Sequence, residues 1–403
     1  MRANLVAAAI AIAVAAAAVT AAPVSAQTWP GVTATEIRIG QTMPYSGPVS
    51  AFGILGKGEV AYFKMVNDHG GINGRKVNLI SLDDSYVPPK TVEQTRRLVE
   101  SDEVALIYSS IGTAHNTAIA KYLQGKKIPQ LFLASGASKF GDIAQYPTAI
   151  GGVQGVFRYE ARLYARYLLA QKPDGKIAIL AQNDDFGRDY IAGLKDVLGE
   201  TFDASVTVAT YEFTEPTIDQ QIVRLKASGA DALVIAATPK FAAQAIRKVY
   251  EIGWKPITFV SNVSVWISSV MEPAGLDAGA GVLSTAYVKD PMDPAWKDDP
   301  GVRGWLDYMK TYVPDGDVRD SNFVNGYNSA MVLEQVLKQA GNDLSAENIM
   351  KQAESIKEFE LPMLLPGIKV NTSPTNHLPV GQMQFMRFTG KQWERFGDVL
   401  SAN

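Results

Sequence analysis

The chain has 403 residues, 47% of them hydrophobic, with 38 basic side chains against 41 acidic ones and no cysteine. That length and apolar content suffice for two sizeable cores, so two domains are expected. The nearly balanced charge gives no footprint for nucleic acid or anionic lipid, and without cysteine neither a disulfide nor a lipid-modified cysteine can form.

The first 26 residues read MRANLVAAAIAIAVAAAAVTAAPVSA. One early positive charge, Arg2, precedes an uncharged apolar run from Leu5 to Val19, then a proline and small residues. This is the pattern of a secretory signal cleaved near Ala26, which predicts an exported, periplasmic protein. No later segment is apolar for long enough to span a membrane.

From Glu36 onward short apolar runs alternate with amphipathic ones, the signature of β-α-β units around mostly parallel sheets. The pattern predicts a strand over Ile37 to Gln41, a helix over Gly53 to Asp68, and a strand over Val77 to Leu82. Between the last two, HGGINGRK reads as a helix stop and turn rather than a phosphate loop, because its glycines follow a helix. Asp83 and Asp84 read as a strand-end turn or cap, with no third ligand at metal spacing. A helix over Thr91 to Glu100 and a strand over Val104 to Tyr108 follow.

The next stretch, LIYSSIGTAHNTAIAKY at 106 to 122, runs from strand through a turn of small hydroxyl residues into a helix starting between Thr113 and Asn116. A helix start offers unpaired backbone N–H groups and the positive end of the helix dipole, so a carboxylate can bind there without a cationic side chain. Ser109, Ser110, Thr113, Asn116 and Thr117 add candidate hydroxyl or amide contacts, although an ordinary Ser/Thr-capped junction has the same composition. A strand over Pro129 to Leu133 leads into a second small-residue turn, ASGAS at 134 to 138. Two such turns at the carboxyl ends of neighbouring parallel strands mark where open α/β sheets bind ligands.

After Ile150 the texture repeats. Strands are expected over Lys176 to Ala181, Val206 to Tyr211, Ala232 to Ala236, Ile257 to Val260 and near Gly281 to Ala286. The helices between them are expected over Glu160 to Gln171, Tyr190 to Leu198, Ile218 to Ala227 and Phe241 to Ile252, with a polar turn at Asn183 to Gly187. Helices over Trp305 to Tyr312 and Phe323 to Gln339 follow, then short alternating runs between Leu361 and Phe396. Two β-α series imply two doubly wound, Rossmann-like lobes facing each other across a cleft.

Enzymatic chemistry finds little support. The histidines are His69, His115 and His377, none in a Gly-x-Ser-x-Gly context; only His115 falls at a candidate pocket, where it reads as a solvated or capping residue. No His/Cys/carboxylate cluster has metal-ligand spacing and neither nucleotide glycine fingerprint is present, so no cofactor is expected.

Several segments resemble the branched-chain amino-acid type of ABC-transporter substrate-binding proteins: WPGVTATEIRIG at 29 to 40, PYSGPVSAFG at 44 to 53 and NDHGGINGRK at 67 to 76, then KIAIL with NDDFG at 176 to 187, and ASGADALVI at 227 to 235. The resemblance covers most of the chain in order and implies the type I periplasmic-binding-protein fold, with three hinge crossings. It places one lobe at 27–152 plus about 287–360 and the other at 153–286 plus about 361–403. Carried over position by position, it implies a pocket wall at Phe52 and a carboxylate turn at Ile111 to Asn116, with Thr113 and the N–H groups of Ala114 and His115. It further implies a second turn at Ala134, Ser135 and Gly136, an aromatic at Phe186, and Thr238 after the strand at 232 to 236.

One departure bears on the ligand. Amino-acid binders of that family place an acid after the strand that is here Ile257 to Val260, to hold the ligand ammonium. This chain has FVSNVSVW at 259 to 266, with Asn262 and no carboxylate. Closing a cleft on an unpaired ammonium costs at least several kcal/mol, so a carboxylate ligand without an amine fits better, unless Asp184, Asp185 or Glu160 takes the acid's place. Phe52, Phe186, Trp266 and Tyr108 suit an aromatic or apolar ligand body. Relatives sharing the GT, NT and ASGA pattern seen at 112–113, 116–117 and 134–137 are associated with aromatic-acid uptake. The expectation is a monomeric periplasmic receptor that delivers a small carboxylate to an inner-membrane ABC permease. A branched-chain amino-acid receptor of the same family, or a sensor subunit, is the alternative.

Overall fold

The computed structural model describes residues 29–401. The expected signal segment and its cleavage point near Ala26 lie outside the described residues.

Two sheets organise the chain. The first is parallel and four-stranded, in the order β2-β1-β3-β4, from β1 (Glu36–Met43), β2 (Lys76–Asp83), β3 (Leu106–Tyr108) and β4 (Gln130–Leu131). The second has the order β11-β10-β9-β8-β7-β5-β6. Its parallel part is β5 (Ile177–Gln182), β6 (Val206–Tyr211), β7 (Ala232–Ala236), β8 (Ile257–Val260) and β9 (Leu283–Ala286). An antiparallel hairpin, β10 (Gln382–Phe388) and β11 (Trp393–Ser401), extends its edge. Central strands β5 and β7 are buried along their whole length, as their unbroken apolar sequences require when helices cover both faces of a sheet.

In both sheets the chain reverses its direction of winding next to an early strand. The first sheet winds outward from between β1 and β3, and the second from between β5 and β7. At such a switch point the loops leaving the strand ends diverge and open a crevice. The two crevices face each other, and the lobes touch around them. Lys139 Nζ pairs with Asp185 Oδ2 at 2.8 Å, the Ser138 N–H donates to Asp189 Oδ2 at 2.9 Å, and Phe52 meets Trp266 edge to face at 5.3 Å.

The expected elements are present with shifted ends. One long shift is at the polar turn Asn183 to Gly187, where the helix already begins at Asp185 and runs to Leu198. Asp184 is its N-cap, accepting from the N–H groups of Phe186 at 3.0 Å and Gly187 at 3.3 Å. The helices Pro300–Tyr312 and Asn322–Ala340 pack on the helix Gly53–Asp68 beside the first sheet.

Candidate functional site

The carboxyl end of β3 builds the first wall. Ser109 adopts a positive φ of 48°, and Gly112, with φ 101° and ψ 136°, is the N-cap of the helix Thr113–Lys126. No side chain caps this helix, contrary to the Ser/Thr junction its composition allows. The requirement at Gly112 is steric: a Cβ there would lie 2.3 Å from His115 Nδ1. The first amide of the turn with an acceptor in the helix ladder is that of Asn116, bonded to Gly112 O at 3.1 Å. The N–H groups of Thr113, Ala114 and His115 have no hydrogen-bond acceptor among the described residues. They stand at the positive end of a 14-residue helix.

The second turn locks onto the first. Ala134 forms a parallel bridge with Ile111, Gly112 N–H donates to Ala134 O at 3.2 Å, and the hydroxyls of Thr113 and Ser135 lie 2.8 Å apart. Ile111, Gly112, Thr113, Ala134 and Ser135 together line a cleft pocket. Its aromatic walls are Phe52 and Tyr86 on one side and Phe157, Phe186 and Trp266 on the other, with Tyr287 completing the aromatic lining. Gln154, Thr238, Asn322 and Asn325 supply further polar groups, and no charged side chain lines the pocket.

Of the residues expected from sequence, Phe52, Thr113, Ala134, Ser135, Phe186 and Thr238 are brought together on this lining. Ser110, Ala114, His115, Asn116 and Gly136 are not on it. Ser110 Oγ accepts from Thr42 N–H at 3.0 Å. Asn116 donates to Ser110 O at 2.6 Å and Gly112 O at 2.8 Å, so its amide holds the turn together. The His115 ring packs tilted against Tyr86, centroids 4.1 Å apart, with both ring nitrogens buried and unpaired; burial lowers its pKa. Gly136 lets helix Phe157–Gln171 approach, since a Cβ there would meet Gly155 O at 2.3 Å. Asn262 lines a neighbouring chamber instead.

The three acids considered as counter-charges all have other work. Asp185 pairs with Lys139 at 2.8 Å and with Arg188 at 2.6 Å. Asp184 caps its helix and accepts from Gln182 Nε2 at 2.6 Å; burial raises its pKa. Glu160 is fully buried, bonded by the hydroxyls of Tyr164, Tyr190 and Thr285, and burial raises its pKa as well. None of the three lines the pocket. Asp83 and Asp84 likewise act as turn acceptors: Asp83 takes Ser46 and Ser85 donors, and Asp84 takes Tyr86 N–H at 2.9 Å and Thr91 Oγ1 at 2.7 Å. No group of three or more metal-ligating side chains occurs among the described residues.

Leu55, Tyr86, Gln154, Phe157, Val263, Tyr287, Asn322 and Asn325 complete the lining without having been expected. Tyr86 carried a faint signal, for it ends the DDSY turn where Ser85 and Tyr86 take positive φ values of 54° and 59°.

A sequence model described as periplasmic binding protein matches residues 36–392. The chain belongs to the periplasmic binding protein family. Among its relatives in this family, the Leu/Ile/Val-binding protein homolog 7 of Brucella abortus is 23% identical over 373 residues, covering 90% of both chains. A branched-chain amino-acid ABC transporter protein from Thermus thermophilus, solved with valine bound, superposes with TM-score 0.79 at 16% identity over 91% of this chain and 97% of that one. A fatty-acid ABC transporter substrate-binding protein from Thermomonospora curvata superposes with TM-score 0.76 at 18% identity, over 94% and 96%. The two-lobed fold is that of type I periplasmic binding proteins.

Proposed function

We propose that the protein is an exported solute receptor that closes its lobes on a small carboxylate lacking an α-amine, aromatic in its body, and presents the closed form to an ABC-transporter permease. The observation that carries this reading is the uncharged pocket. It joins the free Thr113 N–H at the start of helix Thr113–Lys126 to aromatic walls from both lobes, and offers no acid for an ammonium. The carboxylate sits at the Thr113 N–H with the Thr113 and Ser135 hydroxyls, and the ring lies among Phe52, Phe157, Phe186 and Trp266. Gly112 shapes this anchor, and Ser110, Asn116 and Gly136 act behind it by fixing the turns.

Ligand contacts on both lobes favour the closed arrangement, which is a population shift driven by differential affinity. The lobe boundaries, 27–152 with about 287–360 and 153–286 with about 361–403, belong to this proposal. The packing of Pro300–Tyr312 and Asn322–Ala340 beside the first sheet, and of β10 and β11 in the second, supports them.

The names of the relatives favour a second reading, a receptor for leucine, isoleucine or valine. A thermal-shift panel separates the two, since stabilisation follows ligand concentration over Kd. Benzoate and phenylpropenoate are expected to raise the melting temperature, while leucine and isoleucine leave it unchanged. Stabilisation by leucine alone would overturn the proposal in favour of the second reading. Mass spectrometry of the bound acid is expected to recover it unaltered.

A further inference from the structure

Beside the cleft pocket lies a second chamber. The two share Trp266, Tyr287 and Asn325 as a common partition. The second chamber is apolar along Ile267, Met386 and Trp393, and it carries two groups whose hydrogen bonding is incomplete. Asn262 is only 5% exposed, yet neither its Nδ2 nor its Oδ1 has a partner. A buried amide left this way destabilises the empty protein, a cost that a ligand group filling its bonds removes.

The other group is Asp290. Its Oδ1 accepts from Met292 N–H at 2.9 Å, within its own turn. The remaining charges of the chamber are matched: Asp293 with Arg395 at 3.3 Å, and Arg319 with Asp317 at 2.8 Å and Glu272 at 2.9 Å. Asp290 forms no ion pair among the described residues, and burial raises its pKa. A half-buried carboxylate and an unpaired amide facing one apolar chamber form a receptor for a hydrogen-bond donor.

We infer that the ligand site is two-chambered: it takes an elongated carboxylate whose apolar body passes the Trp266, Tyr287 and Asn325 partition and whose far end carries a hydroxyl or other N–H or O–H donor bound by Asn262 and Asp290. This rests on the proposed seating of the carboxylate at Gly112 and Thr113, and it adds a requirement at the opposite end of the molecule. The partition selects for a narrow body, because Trp266 is braced edge-on by Phe52 and the Tyr287 hydroxyl is tied to Asn325 Oδ1 at 3.1 Å.

The test is titration calorimetry of the whole mature protein with 4-(4-hydroxyphenyl)butanoate and 4-(4-methylphenyl)butanoate, which match in size and differ in the terminal donor, with benzoate as the short acid. The wild type is expected to prefer the hydroxylated acid about tenfold, the factor carried by roughly 1.4 kcal/mol of hydrogen bonding. In Asn262→Leu and Asp290→Leu that preference is expected to fall below about threefold. Should one variant fail to fold, as judged by its melting transition, the other carries the comparison. Benzoate binding without any wild-type preference between the two butanoates would overturn the two-chambered site while leaving the carboxylate anchor standing, as would an undiminished preference in the folded variants. Failure of all three acids to bind would overturn the anchor and this inference together.

Discussion

Glu59 gives a quantitative handle on the floor beneath the anchor. It lies on helix Gly53–Asp68, fully buried, with Gln41 Nε2 donating to Oε2 and with Oε1 unpaired. Burial pushes its pKa up from 4.5 to about 8, against a smaller opposing contribution from the polar groups around it, Ser109 and Gln41 foremost. Because the folded-state pKa is the higher one, the native protein holds this proton while the unfolded chain releases it. Its stabilisation is complete below about pH 4.5 and is lost as pH rises toward 8. Integrated to pH 7, the loss is about 3 kcal/mol, of which roughly 1 kcal/mol has already gone by pH 5. Glu59→Gln removes the titration and keeps the shape. Urea unfolding of both proteins at pH 5 and pH 7 is expected to show the variant gaining about 2 kcal/mol on the wild type between the two. Parallel stability profiles would refute the assignment of a buried, protonated Glu59.

Three further outcomes follow from the site. Thr113→Val deletes one anchor hydroxyl but keeps the backbone donor, so affinity for phenylpropanoate by calorimetry is expected to fall about tenfold with little change in the unliganded melting temperature. Lys139→Met breaks a partly exposed pair across the cleft, worth about 0.5–1 kcal/mol, and is expected to speed ligand dissociation in stopped-flow two- to fivefold. Gly112→Ala forces a Cβ onto the His115 ring at a backbone conformation open mainly to glycine; it is expected to cost about 2 kcal/mol or more of stability and to abolish binding, read by unfolding and titration of one preparation.

Much of the fold was legible because strand buried on both faces leaves unbroken apolar runs, such as IAIL in β5 and ALVIA in β7. The first turn of helix Asp185–Leu198 was hidden because its residues, DFGR, hold a single apolar side chain beside a glycine and two charges; only the Asp184 cap reveals that they are helical. At the site, the two small-residue turns could be found since their positions follow from strand order. Side-chain direction could not: Ser110 and Asn116 have the chemistry of ligand contacts but spend it on Thr42 N–H and on the carbonyls of the turn. Asn322 and Asn325 were invisible for another reason. They start a helix more than two hundred residues after the anchor, and only packing against the first lobe brings them to the cleft.

The central claim is that the pocket accepts a carboxylate and rejects its α-ammonium counterpart. Titration calorimetry of 3-phenylpropanoate against phenylalanine tests it most directly, because the two differ only by the amine. The acid is expected to bind at least about 100-fold more tightly, since an unpaired buried ammonium costs several kcal/mol and each 1.4 kcal/mol is a factor of ten. Equal or tighter binding of phenylalanine would contradict the account.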